Sequence, residues 1–288
     1  RGTMQKELCL IHANCQGDPL ADLLGMHAEF SGRYAIKTFV NFTRDHVPAE
    51  DMSRCTLFLY QWLGPAWGPL SSREMLKLLP PGARSICIPN LFFKAYWPFW
   101  ETNKSFDYSD MLLNDLIGRG LSKTEILHLY LHTDINKYYD LQELINISIS
   151  REEKKQEHWD IKMLDRIMEE YAREPLFKTV NHPGKKLCIE LADAVLTLLD
   201  MPPLKPEQRN AFKEPFPEFE QPIHPRVVDY LGLSFVQPDT RYFVYGDYKT
   251  FEEYTNCYVD CRLLGIDDFI GFLRLDCGRR EIPWKPEE

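Results

Sequence analysis

Four short apolar runs in the first ninety residues, at 8–13, 34–40, 55–60 and 84–89, leave this chain few folds. Segments with helical spacing lie between them, at 17–30 and at 71–79 before Pro80-Pro81-Gly82. Cys55-Thr56-Leu57-Phe58-Leu59-Tyr60 and Ser85-Ile86-Cys87-Ile88 are almost continuously apolar. That is the texture of parallel strands covered on both faces. Tyr34 to Val40 alternates only in part. Strand and helix in alternation predict an α/β fold with a parallel sheet.

From about residue 109 the pattern turns helical. Helices are expected over 109–118, 122–132, 136–149, 151–173 and 184–200, a large helical layer on the sheet. Ser122-Lys123-Thr124-Glu125 is a capping-box pattern at the start of the second. Beyond Asp200 the composition shifts, with eight prolines from Pro202 to Pro238. This reads as an extended arm rather than a flexible linker. A short helix is expected over 225–232, ending at Gly232. Arg241–Tyr245 and Tyr254–Leu264 read as strands or an aromatic-rich cap. The expected organisation is a core over 4–200 and a mixed C-terminal extension over 201–288.

Hydrophobic residues make up 44% of the 288 and aromatics 13%, enough for a sizeable core. A formal charge of −9 argues against a nucleic-acid partner. It leaves room for a small anion held by a local basic cluster. No apolar run approaches the ~20 residues needed to span a bilayer, and no secretory leader is evident. Arg1-Gly2-Thr3 before Met4 reads as an expression scar. A cytoplasmic location is expected, with Cys9, Cys55 and Cys87 as reduced core thiols.

The chemistry points to the end of the first strand. Leu8 to Ala13 runs into Asn14-Cys15-Gln16-Gly17, and a helix follows. A side chain at that junction sits at the carboxyl edge of the sheet, where open α/β folds bind ligands. The helix start favours an anion and lowers a thiol's pKa, so Cys15 is a candidate nucleophile. The backbone N–H groups of Cys15 and Gln16 could receive an oxyanion. Asn41 and Gln61 follow the second and third runs at the same edge and could add amide donors. A nucleophilic thiol needs a base. His182 in Asn181-His182-Pro183-Gly184 is the leading candidate and His12 the runner-up, whereas His27 reads as core.

Lys185 and Lys186 open the helix after His182, a place for phosphate, with Lys94 the next cation. Leu91 to Trp100 could wall a ligand groove or lie in the core. His128 and His132 stand i, i+4 without a third ligand, so no metal is expected. Asp107, Asp110 and Asp115 read as a polar helix face.

Together these features resemble the WcbI-like polysaccharide-biosynthesis acetyltransferases, distant relatives of the SGNH hydrolases. Asn14-Cys15-Gln16-Gly17 is similar to that family's Asn-Cys-Gln turn, and Asn181-His182-Pro183 to its histidine element. The resemblance spans 8–200. It implies an SGNH-like parallel sheet and coenzyme A, or acetyl-coenzyme A as substrate. It also implies acetyl transfer to a sugar or polysaccharide hydroxyl in capsule synthesis. Cys15, His182, Gln16, Asn181 and Gln61 would then be catalytic. Asn14, Gly17, Asn41, Lys94, Lys185 and Lys186 would hold the coenzyme. SGNH enzymes carry an Asp three residues before the histidine, and here Thr179 stands there. The third triad member must come from elsewhere, such as Asn181, or be missing. An SGNH-type cysteine esterase or thioesterase, and a non-catalytic coenzyme- or carbohydrate-binding protein, are the alternatives.

Overall fold

The computed structural model describes residues 5–281, so Arg1-Gly2-Thr3 lies outside the described residues. The chain forms two compact units. One comprises the residues up to Phe92, Arg151–Glu169 and Asn181–Pro215. The other comprises Phe93–Ser150, Glu170–Val180 and the residues from Phe216 onward. The parting does not run at residue 200, as composition suggested. The arm's first residues pack into the sheet unit. Gln208 Nε2 donates to the Met26 carbonyl (2.7 Å) and the Leu204 N–H to Asp193 Oδ1 (2.8 Å).

The first unit opens with β1 (Glu7–Ala13), α1 (Gly17–Met26), α2 (Ala28–Arg33) and β2 (Tyr34–Val40). It continues through α3 (Ala49–Arg54), β3 (Cys55–Gln61), α4 (Ser72–Lys77) and β4 (Arg84–Ile88). The strands form one parallel sheet in the order β2-β1-β3-β4. The two most apolar runs that lie centrally, β1 and β3, are buried almost throughout, while β2 on the edge keeps exposed positions. Leu8 and Leu10 of β1 pack with Phe58, Tyr60, Met75 and Trp159 in one buried cluster. Because β2 lies on one side of β1 and β3 on the other, the chain reverses direction between β1 and β3. The crevice at such a switch point is where open α/β sheets bind ligands.

The expected 17–30 helix is broken at His27. Its Nδ1 accepts the Phe30 N–H (3.2 Å) and its Nε2 meets the Pro202 carbonyl (2.9 Å), so this histidine caps α2.

Next come α5 (Met111–Gly118), α6 (Lys123–His132), α7 (Leu141–Lys155) and α8 (Leu164–Glu170). The capping box at Ser122 and Glu125 is formed. The single helix expected over 151–173 is absent. After a 3-10 turn at Gln156–His158 the chain runs beside β4. There the Asp160 N–H donates to the Cys87 carbonyl (2.9 Å), and Asp160 Oδ2 accepts the Cys87 N–H (2.7 Å). Pairing with a sheet edge outweighs local helix propensity at this point.

The remaining elements are β5 (Phe177–Thr179), β6 (His182–Pro183), α9 (Lys185–Leu198), α10 (Pro206–Ala211) and α11 (Pro225–Leu231). They are followed by β7 (Tyr242–Val244), β8 (Asp247–Lys249), α12 (Phe251–Leu263) and α13 (Phe269–Glu281). Gly232 ends α11 in the left-handed region (φ 64°), as its C-cap position requires. The segment 254–264, expected as a strand or part of an aromatic-rich cap, is the helix α12. Its buried residues Tyr254, Cys257, Tyr258 and Cys261 fall at i, i+3, i+4 and i+7. A capping box from Thr250 to Glu253 starts it. β-branched and aromatic content pointed to a strand, but spacing and cap decide for a helix. Leu91 to Phe99 is largely buried, so the core alternative holds for much of that aromatic segment. Among the described residues no helix is long and apolar enough to cross a membrane.

Candidate functional site

The turn after β1 is held by side-chain amides. Gln61, at the carboxyl end of β3 and 1% exposed, accepts the Asn14 N–H through Oε1 (2.8 Å). Its Nε2 donates to Asn14 Oδ1 (3.2 Å) and to the Pro89 carbonyl (3.3 Å). Asn41, at the end of β2, donates from Nδ2 to Gln61 Oε1 (3.4 Å). Its backbone N–H reaches the Ala13 carbonyl (2.9 Å). Asn14 Nδ2 completes the row by donating to Asn90 Oδ1 (3.2 Å). One polar lattice thus ties together the ends of all four strands across the switch point.

Gln16 extends the lattice toward the histidine loop. Its Nε2 donates to the carbonyls of Leu91 (2.7 Å) and Asn181 (2.9 Å), and its Oε1 accepts the Leu91 N–H (2.9 Å). The residue before His182 is thereby bonded to the residue after Cys15. His182 itself is half-buried in β6. The Cys15 and Cys188 thiols are close enough for ionisation of one to hinder that of the other, so the start of α9 lies near the Cys15 turn.

Two expectations at this turn are corrected. The Gln16 N–H is taken by Asn14 Oδ1 (3.0 Å) and the Gly17 N–H by the Asn14 carbonyl (3.0 Å). The Gln16 backbone donor is therefore committed within the turn and is not an open oxyanion donor. The same holds for the Gln61 amide, whose donors already serve Asn14 and Pro89. The Cys15 thiol is also not lowered toward a thiolate. Burial pushes its pKa above the ordinary value; its own backbone N–H opposes this, and Asp18 adds to it. Gly17 has a packing reason to be glycine. A Cβ there would stand 3.2 Å from Ala13 Cβ and 3.4 Å from Ile11 Cγ2.

At the start of α9 the Lys185 N–H donates to Glu214 Oε1 (2.9 Å). A carboxylate from the arm occupies the helix end proposed for phosphate. Lys94 lies in the 3-10 helix Lys94–Tyr96 of the other unit. His12, the alternative base, is buried on the Leu8 and Leu10 face of β1. Burial lowers its pKa to about 4, and its Nε2 has no hydrogen-bond partner.

Sequence reasoning missed Asn90 and Lys155. Lys155 is paired with Glu152 (2.8 Å) and lies 5.2 Å from the Phe92 ring centroid. Asn90 carried a signal, being a polar residue just after an apolar run, as Gln61 is. Lys155 lies in a different stretch of chain and carried none. Among the residues whose side chains are described, seven cysteines, Cys15 among them, are free. Among the described residues no group of His, Cys, Asp and Glu could hold a metal ion.

The family model for the polysaccharide biosynthesis enzyme WcbI matches residues 8–204. The chain belongs to the WcbI family. A solved structure of WcbI superimposes with a TM-score of 0.75 at 18% identity, covering 96% of each chain. That WcbI structure is described as the native protein without a disulfide bond between coenzyme A and one of its cysteines. No curated protein matches the chain. The WcbI fold of mixed α/β layers thus extends past the matched segment into the C-terminal region.

Proposed function

We propose that this protein transfers an acyl group, acetyl in the first instance, from acyl-coenzyme A to a sugar hydroxyl in polysaccharide biosynthesis. The observation that carries the reading is the Gln16 bridge, which holds the Cys15 turn and the His182 loop as one rigid constellation at the switch point. The coenzyme described with the solved relative supports a thioester donor for this chain. A protonated, half-buried thiol supports direct transfer over spontaneous attack by Cys15. His182 takes the proton of the sugar hydroxyl as its oxygen attacks the thioester carbonyl carbon. The carbon–sulfur bond breaks, and the proton passes from His182 to the departing coenzyme thiolate. The amide lattice keeps the reacting groups in place and fixed in advance.

Lys185 and Lys186 remain the proposed phosphate contacts, with Glu214 as the anion that a phosphate displaces. The start of the proline-rich arm is bonded to the end of α1 and to α9, and its role in this reading is to limit access of water. Acetyl-coenzyme A hydrolysis is measured with and without a panel of sugar acceptors. Slow hydrolysis alone and faster coenzyme release with an acceptor are expected. Rapid release without acceptor would instead favour an esterase or thioesterase. Tight coenzyme binding without turnover would favour a binding protein.

A further inference from the structure

Past the carboxyl ends of β3 and β4, aromatic rings reach the surface of the sheet unit. Trp62 stands one residue beyond Gln61, and 36% of its surface is exposed. The His158 ring, itself exposed, lies parallel to the indole, with 4.2 Å between centroids and 3° between planes. The two rings come from segments far apart in the chain, so the tertiary fold sets the stack. Beside it, Lys155 Nζ lies 5.2 Å from the centroid of the half-buried Phe92 ring.

This ledge is continuous with the Cys15 turn. Gln61 accepts the Asn14 N–H (2.8 Å), and Asn14 Nδ2 donates to Asn90 Oδ1 (3.2 Å). Lys155 Nζ donates to the Asn90 carbonyl (3.5 Å) and to Glu152 Oε2 (2.8 Å). Three residues after Lys155 comes His158, which returns the path to Trp62. Every residue of this circuit belongs to the sheet unit. No step of the acyl transfer uses Trp62 or His158.

We propose that the Trp62–His158 ledge is the acceptor subsite, where one face of a neutral sugar ring stacks on Trp62 and its hydroxyls meet the Lys155–Glu152 pair. The sugar's role as acceptor rests on the acyl-transfer reading; its binding to the ledge does not. The C–H bonds on one face of a pyranose aim weakly positive hydrogens at the negative face of an aromatic ring. A hydroxyl both donates and accepts, and an ammonium beside a carboxylate offers a partner for each. A tryptophan backed by a second ring gives a broad contact with little entropy left to lose. The ledge suits the phosphates of the coenzyme poorly. Glu152 already offsets the charge of Lys155, and α7 ends at Lys155, where the carbonyls of a helix C-terminus repel an anion. The same two features select a neutral sugar over an acidic one.

The test is saturation-transfer difference NMR of the full chain without coenzyme. The probes are the methyl glycosides of glucose, galactose, mannose, rhamnose and N-acetylglucosamine, with methyl glucuronide and adenosine diphosphate as anionic counterparts. At least one neutral glycoside is expected to receive transfer, strongest at the C–H protons of one ring face. Trp62→Ala should weaken its binding about three- to tenfold. Trp62→Tyr, which keeps a flat ring and controls for folding, should restore most of it. No transfer to any neutral glycoside, or transfer unchanged in Trp62→Ala, would overturn the proposal. So would stronger transfer to either anionic probe that Trp62→Ala removes. Sugar binding that needs Trp62, without acceptor-dependent coenzyme release, would support the ledge and count against acyl transfer. Acceptor-dependent release whose KM is unmoved by Trp62→Ala would support acyl transfer and overturn the ledge.

Discussion

The carboxyl edge of the sheet and the interior of the second unit use glutamine in opposite ways. At the edge, Gln61 and Gln16 spend both ends of their amides on the protein. In the second unit, Gln221 leaves its Oε1 buried and unpaired. A saturated amide fixes geometry, and an unpaired buried acceptor costs stability. Amide-rich sequence at a sheet edge is therefore better read as scaffolding for a neighbour, here Cys15 and His182, than as oxyanion machinery.

Acid should break the comparison most strongly, because each region buries a neutral histidine. Burial lowers both His12 in the sheet unit and His224 in the second unit to about 4 from 6.5. A folded pKa below the unfolded one means that the unfolded chain takes up the proton first. Stability is then full above about pH 6.5 and is lost as pH falls toward 4, by up to about 3 kcal/mol per histidine. Denaturant melts of His12→Leu and His224→Leu across that range should each flatten part of the loss. An unchanged acid limb in both would show that neither histidine is buried neutral.

The next effect is that of Gln61→Leu. It strands the Asn14 N–H and the Pro89 carbonyl at a buried edge, each worth about 1–3 kcal/mol. A loss on the order of 2–5 kcal/mol in urea melts is expected, against no loss for Gln221→Leu. Equal effects of the two variants would erase the distinction between saturated and open amides.

Cys15 sharpens the comparison further. With its pKa raised, iodoacetamide labelling at neutral pH should be slow and climb about tenfold per pH unit to beyond pH 9. A plateau near neutrality would restore the activated thiolate.

Much of this was legible in the chain. All four strand runs of the sheet are found within a residue or two, because continuous apolar runs have few other uses. Asn14, Gln61 and Asn41 do converge, since strand ends in a parallel sheet share an edge, and Asn181 joins them through its carbonyl, which Gln16 bonds. What stayed hidden depended on distant partners. The break after Lys155 is made by Asp160 pairing with Cys87, and the commitment of the Gln16 N–H by the Asx geometry of Asn14. The position of Glu214 on α9 comes from an arm whose path composition could not trace.

That last contact gives the smallest expected effect. Glu214→Gln removes a charge competing with phosphate at the helix start. It should tighten coenzyme A binding by about two- to fivefold, the equivalent of 0.3–1 kcal/mol, in calorimetry. Unchanged affinity would move the phosphates away from Lys185 and Lys186.

The most direct test of the central claim is acceptor-dependent release of coenzyme A by the His182→Ala variant. A general base acts in the transition state more than in binding. The variant should bind coenzyme A much as the parent does and lose about 10²–10⁴-fold in acceptor-dependent rate. Retention of the parent rate would contradict the account and remove His182 from the chemistry.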